Sequence, residues 1–170
     1  MPEKLSYDDG VLVEPLSIAV YAVRRSNVKL GDNVAVVGQG PIGLFVDQVA
    51  KSTGATVYGF DKHDKRLEFA KNNNYIYQKI NVTQPDFLEV FRNMIATDGA
   101  DVVFEAVGGD RSAETAFELT KASGRVLVLG VFEQDVTVNM MQIVKKELTV
   151  QGSWTCIFSF EQTISFLESR

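Results

Sequence analysis

Residues 33–61 constrain the fold more than any other stretch of the chain. An apolar run, Asn33-Val-Ala-Val-Val, breaks into Gly38-Gln-Gly-Pro-Ile-Gly43, continues as an amphipathic segment, and closes through Thr56-Val-Tyr-Gly-Phe on Asp61. Strand, glycine turn, helix and second strand follow in the order of a dinucleotide-binding βαβ unit, with an acidic residue about 20 positions beyond the turn. Gly38 permits the tight turn, Gly40 lets backbone approach a pyrophosphate with no Cβ in the way, and Gly43 lets the helix pack closely on the sheet. The amides of Ile42 and Gly43, just after Pro41, open that helix and point at the phosphates from the positive end of its dipole. The glycine turn alone is a weak signal; the framing strands and Asp61 make it specific.

At the end of the second strand the Asp61 carboxylate can accept both adenosine ribose hydroxyls of NAD and would repel the extra phosphate of NADP, so NAD is favoured. Lys62, His63, Lys65 and Arg66 follow at once. Arg66 can neutralise a 2′-phosphate, or the group can be a solvated helix start. His63 reads as a surface loop residue and Cys156 as a buried or interfacial thiol. Glu105, where a nicotinamide end would lie, reads as a hydrogen-bonded structural carboxylate rather than a catalytic one.

The remaining chain alternates short β-rich runs with helical segments, which implies a parallel sheet covered by helices. Helices are expected over 15–26, with Pro15 in the first turn, and over 41–52, 63–72, 85–96 and 111–122. Strands are expected at 33–38, 56–60, about 75–80, from 101, from 125 to Gly130, and over 148–154. One of Asn72, Asn73 and Asn74 is expected to take the left-handed conformation that ends a helix. Phe158, Thr163, Ile164 and Leu167 recur at helical spacing near the end. Six strands joined by crossovers predict an α/β fold with a doubly wound parallel sheet of order 3-2-1-4-5-6. Residues 1–32 read as an entry segment and helix, and 33–170 as the dinucleotide-binding domain, expected to be cut short at its C-terminal end because the last helical pattern stops in polar residues without a cap.

With 170 residues, 45% of them apolar, the chain can bury one substantial core. A net charge of -5 without a long basic block argues against nucleic acid or an anionic membrane as partner. One cysteine suits a reducing compartment, for which cytoplasm is the default, and no apolar run is long enough to span a bilayer. Hydride transfer between a nicotinamide and an alcohol or carbonyl needs a proton relay or a Lewis acid, and the sequence has no His-Asp pair or Tyr-x-x-x-Lys at a useful place and no Cys/His zinc constellation.

Taken together, Leu12-Val-Glu-Pro-Leu16 leading into the glycine turn, then Glu105-Ala-Val-Gly-Gly109, Arg125-Val-Leu-Val-Leu-Gly-Val-Phe132 and Lys145-Lys-Glu-Leu-Thr-Val-Gln-Gly-Ser-Trp154, resemble the medium-chain, zinc-dependent alcohol and polyol dehydrogenases. That group includes sorbitol, butanediol and threonine dehydrogenases, and the resemblance covers nearly the whole chain. It implies a cofactor-binding domain separated from a catalytic domain that supplies zinc ligands, with no zinc expected on this chain alone and a small alcohol or polyol as substrate of the complete enzyme. It further implies Gly38, Gly40, Pro41, Ile42 and Gly43 along the pyrophosphate, and Asp61, Lys62 and Arg66 at the adenosine end. Val107, Gly108, Leu129, Gly130, Val131, Ser153, Trp154 and Thr155 would lie about the nicotinamide. Glu14 occupies the place where members of that group have a third zinc ligand or a carboxylate close to the metal. Thr155 stands where polyol-oxidising members often carry an arginine. Members of that group commonly pair their last strands across a two-fold, and residues 133–154, with Val136, Val138, Leu148 and Val150 alternating, read either as such a homodimer contact or as an ordinary internal strand. Two other classes share part of this pattern: a stand-alone nucleotide-sensing regulatory domain, which has the turn and acidic residue but not the flanking segments, and an S-adenosylmethionine-dependent methyltransferase, whose turn does not normally carry Pro-Ile-Gly opening a helix.

Overall fold

The computed structural model describes residues 5–156 and 159–168. Its β-branched runs form strands because Val34, Val36, Val57, Val102 and Val126 are buried between helices on both faces. All six strands are parallel and lie in the order β3-β2-β1-β4-β5-β6, as expected. They are β1 (Asn33–Val37), β2 (Thr56–Asp61), β3 (Gln78–Asn81), β4 (Ala100–Glu105), β5 (Thr120–Val128) and β6 (Thr149–Gly152). Among the described residues the helices are α1 (Tyr7–Ser26), α2 (Pro41–Ser52), α3 (Asp64–Asn72), α4 (Phe87–Met94), α5 (Asp110–Leu119), α6 (Met140–Lys146) and α7 (Phe160–Glu168).

Two apolar cores flank the sheet. One packs α1 and α2 through Leu16, Ala19, Val46 and Ala50 onto Val34, Val36 and Phe104. The other gathers Tyr58, Phe60, Phe91, Val103, Phe117 and Val126. Phe91 stacks edge-on against both Tyr58 and Phe60, with centroids 5.2 and 5.1 Å away. No described helix is long and apolar enough to cross a membrane.

Four local expectations are corrected. Helix α1 begins at Tyr7 rather than at Pro15, because Ser6 and Asp9 form a reciprocal capping box; Pro15 lies inside the helix. Helix α5 stops at Leu119 instead of 122, since Thr120 already pairs with Ala100 in the sheet. The connection before β6 contains α6, capped by Asn139 at Met141 N, within the segment expected to alternate as strand. The third strand is shorter than expected and starts at Gln78, where pairing with Tyr58 begins. Asn74 takes the left-handed conformation (φ 59°) after α3. Phe158 lies outside the described residues, while Thr163, Ile164 and Leu167 belong to α7.

Candidate dinucleotide site

Because every strand is parallel, all carboxyl ends open on one edge, and the order reverses between β1 and β4. A crevice at that reversal is where such sheets take ligands. There a cavity of about 770 Å³ is lined by Gly38, Gly40, Asp61, Lys62, Arg66 and Val107 among the expected residues. Phe60, Val82, Thr83, Asp110, Arg111, Ser112 and Thr115 line it too and were not anticipated. For Asp110, Arg111, Ser112 and Thr115 the signal is the glycine pair Gly108-Gly109, which opens α5 beside the crevice as Gly40 opens α2.

Two of the turn's glycines are required by packing. Gly38 has φ +99°, and a Cβ there would stand 2.6 Å from Val107 Cγ2; at Gly43 a Cβ would stand 1.8 Å from Gly38 O. At Gly40, the N-cap of α2, a Cβ would meet nothing within 4 Å, so the space above it belongs to the crevice. Leu44 N donates to Gly40 O at 2.9 Å, and the amides of Ile42 and Gly43 precede that first helical bond.

Asp61 is buried and does two things at once. Its Oδ2 accepts from Gln39 N at 2.7 Å and its Oδ1 from His63 N at 2.8 Å. A carboxylate has about four acceptor positions, so capacity remains for a ribose. Arg66 Nη1 lies 3.7 Å from Asp61 Oδ2 with its side chain half exposed, and Lys62 is exposed beside it. His63 is exposed at the N-cap of α3.

The expected nicotinamide residues lie farther along the same edge, outside the cavity lining except for Val107. Glu105 is fully buried, and its Oε1 accepts from Val107 N and Gly108 N, both at 2.9 Å. The turns after β4 and β5 interlock: a Cβ at Gly108 would stand 2.3 Å from Val131 O, and one at Gly130 would stand 2.2 Å from Gly108 N. Leu129 N and Gly130 N both donate to Glu105 O. Ser153 N donates to Val128 O at 2.8 Å, while Trp154 and Thr155 are exposed, Thr155 with φ 58°. Cys156 is a half-buried free thiol. Glu14 is exposed on α1, and the described residues contain no group of three or more His, Cys, Asp or Glu able to hold a metal. Open space over Gly40 and the acceptor positions left on Asp61 suit a dinucleotide, and the donor groups among the described residues do not converge on a zinc site.

The family model for zinc-binding dehydrogenases matches residues 41–169, and the chain belongs to that family. It is 35% identical over 153 residues to the (R,R)-butanediol dehydrogenase of Bacillus subtilis, covering 89% of this chain and 44% of that protein. The crystal structure of 2R,3R-butanediol dehydrogenase from the same organism superposes with a TM-score of 0.90 at 31% identity, over 99% of this chain and 48% of that one. D-xylulose reductase of Saccharomyces cerevisiae is 31% identical over 175 residues, covering 100% of this chain and 49% of that protein. A Sinorhizobium meliloti protein bound to NADP, described as a zinc-binding dehydrogenase, matches with a TM-score of 0.89 and 27% identity, over 99% of this chain and 51% of that chain. The chain spans about half the length of the curated relatives it matches.

Proposed function

We propose that this chain is the NAD-binding part of a zinc-dependent oxidoreductase that oxidises a secondary alcohol or polyol, with residues 33–170 as the cofactor domain and 1–32 leading into it. The carrying observation is the glycine turn, whose Gly40 faces open crevice while its own Gln39 amide is tied to Asp61. In this reading Gly38, Gly40, Pro41, Ile42 and Gly43 hold the pyrophosphate through backbone, so no basic side chain is needed. Asp61 accepts the ribose hydroxyls, with Lys62 and Arg66 at its rim. Val107, Gly108, Leu129 to Val131 and Ser153 to Thr155 form the nicotinamide end.

The bound nicotinamide supplies the hydride acceptor; these residues orient it and exclude water from one face. Glu14 alone cannot hold zinc, which needs three converging protein ligands, so no metal chemistry is assigned to this chain. A cytoplasmic location and a homodimer through the β6 edge complete the reading.

Calorimetric titration with NAD, NADP and S-adenosylmethionine tests it. NAD is expected to bind at least about tenfold more tightly than NADP, a gap of about 1.4 kcal/mol, with no S-adenosylmethionine binding. Asp61→Asn is expected to weaken NAD and narrow that gap. Binding of S-adenosylmethionine instead of NAD would overturn the assignment, and alcohol-dependent NADH formation by the isolated chain would overturn the division of labour.

A further inference from the structure

Behind the glycine turn lies a buried polar pair with no direct contact to the crevice. Gln39 is 1% exposed, and its side chain folds under the turn, where Nε2 donates to Val36 O at 3.4 Å and to Asp47 Oδ1 at 3.5 Å. Asp47 is fully buried on α2. The other oxygen of each group, Gln39 Oε1 and Asp47 Oδ2, is buried without a partner. Two acceptors cannot satisfy each other, but a proton on Asp47 makes its hydroxyl a donor and Gln39 Oε1 its acceptor. The fold makes room for the pair at Gly59 of β2, where a Cβ would stand 2.9 Å from Gln39 Cδ and 3.0 Å from Gln39 Oε1.

We propose that Asp47, as a neutral carboxylic acid, and Gln39 close an acid–amide ring, and that this ring positions the glycine turn for the dinucleotide. The inference rests on the dinucleotide reading above. Burial pushes the Asp47 carboxyl well above the usual carboxylate range, and the Gln39 amide opposes this only in part. The charged groups on the surrounding elements are engaged elsewhere or exposed. Asp61 of β2 holds Gln39 N, His63 N and Arg66; Lys71 of α3 holds Tyr77 O; Lys51 of α2 holds Asn74 O. On α1, Arg24 meets Gln162, Arg25 lies over the Tyr21 ring, and Glu14 is exposed. Gln39 thus links three parts of the site. Its amide N–H fixes the ribose carboxylate, its side chain ties back to β1 at Val36, and the ring anchors α2 behind the pyrophosphate.

The test combines infrared difference spectroscopy, pH-dependent unfolding and NAD titration on wild type, Asp47→Asn, Asp47→Leu and Gln39→Ala. Wild type minus Asp47→Asn is expected to show a protonated-carboxyl carbonyl band at neutral pH. Because the unfolded carboxyl titrates near 3.8 and the folded one higher, the wild-type folding constant, relative to Asp47→Asn, falls tenfold per pH unit from there up to the folded pKa. Asp47→Leu and Gln39→Ala should weaken NAD binding at least tenfold while Asp47→Asn, which restores a neutral ring, rescues it. Absence of the band and slope overturns the proton, and wild-type NAD affinity in Asp47→Leu overturns the positioning role. Should Asp47→Leu fail to fold, the pH profile of NAD affinity decides. Wild-type affinity must fall as Asp47 ionises and Asp47→Asn stay flat; identical profiles overturn the proposal. A wild type with band and slope but no NAD binding sinks the dinucleotide reading and leaves the ring standing.

Discussion

A methyl group separates what the glycine turn needs for folding from what it needs for a ligand. Gly43→Ala forces a Cβ to 1.8 Å from Gly38 O, so the backbone must move. It is expected to cost about 1–3 kcal/mol in urea denaturation and to abolish NAD binding. Gly40→Ala meets only open space at φ -80°. It should leave stability within about 1 kcal/mol, the weaker N-cap being offset by a less flexible unfolded chain, yet weaken NAD at least about tenfold. Equal losses in both assays for Gly40→Ala would contradict the placement of the pyrophosphate. Asp101 makes a different residue-scale prediction. Burial pushes its carboxyl up, but Lys121, the Asn33 N–H and Arg125 outweigh this and hold it below the usual value. Its contribution is therefore present above the unfolded pKa near 3.8 and lost as pH falls through the folded one. Asp101→Asn should lower Tm at pH 7, and thermal melts should show the gap closing in acid.

At the scale of elements, Lys146 joins α6 to the point where α5 passes into β5. Its Nζ donates to Phe117 O at 2.8 Å, Glu118 O at 3.1 Å and Thr120 O at 2.8 Å. Lys146→Met removes a cation from a helix C-terminus and strips partners from three carbonyls, for an expected loss of roughly 1–3 kcal/mol. Hydrogen exchange should rise at residues 117–121 rather than in β1 or β2. This junction also shows why parts of the fold were hard to read. Helix α2 was visible because Pro41 marks its start and Val46, Val49 and Ala50 repeat on one face. Helix α6 buries none of its residues fully, so its Met-Met-Gln-Ile-Val run carries no amphipathic signature and resembles a strand. The start of α1 was hidden by Pro15, a stronger punctuation mark than the Ser6–Asp9 capping box. The site divides in the same way. The turn and Asp61 were legible because one local unit contains them, whereas Arg111 and Thr115 reach the cavity only once β4 has paired with β1. The attachment of Asp61 to Gln39 N was illegible because a main-chain donor leaves no mark in the sequence.

The two edges of the whole sheet differ, and the difference bears on assembly. The β3 edge carries Lys79, paired with Glu68, a charge of the kind that discourages further pairing. The β6 edge is Thr149, Val150, Gln151 and Gly152, which among the described strands pairs with β5 alone and carries no charged residue. Beside it in sequence, α6 exposes Met140 (61%), Met141 (54%) and Val144 (68%). In the proposed homodimer, the uncharged strand edge and the apolar side chains exposed on the helix that leads into it form the contact, and a second copy related by a two-fold axis presents the same surface in return. Such a pairing would set two β6 strands antiparallel and extend the sheet through both copies, leaving each cavity at the strand carboxyl ends open. Sedimentation velocity is expected to show a dimer for the wild-type chain. Val150→Lys and Val144→Glu should each shift it to monomer, because either charge meets its own copy across the axis or an apolar neighbour it cannot satisfy. Neither residue lines the cavity, so NAD affinity should stay within about twofold in the monomeric variants, well under the tenfold step of 1.4 kcal/mol. A monomeric wild type, or a dimer untouched by both substitutions, would place the contact elsewhere.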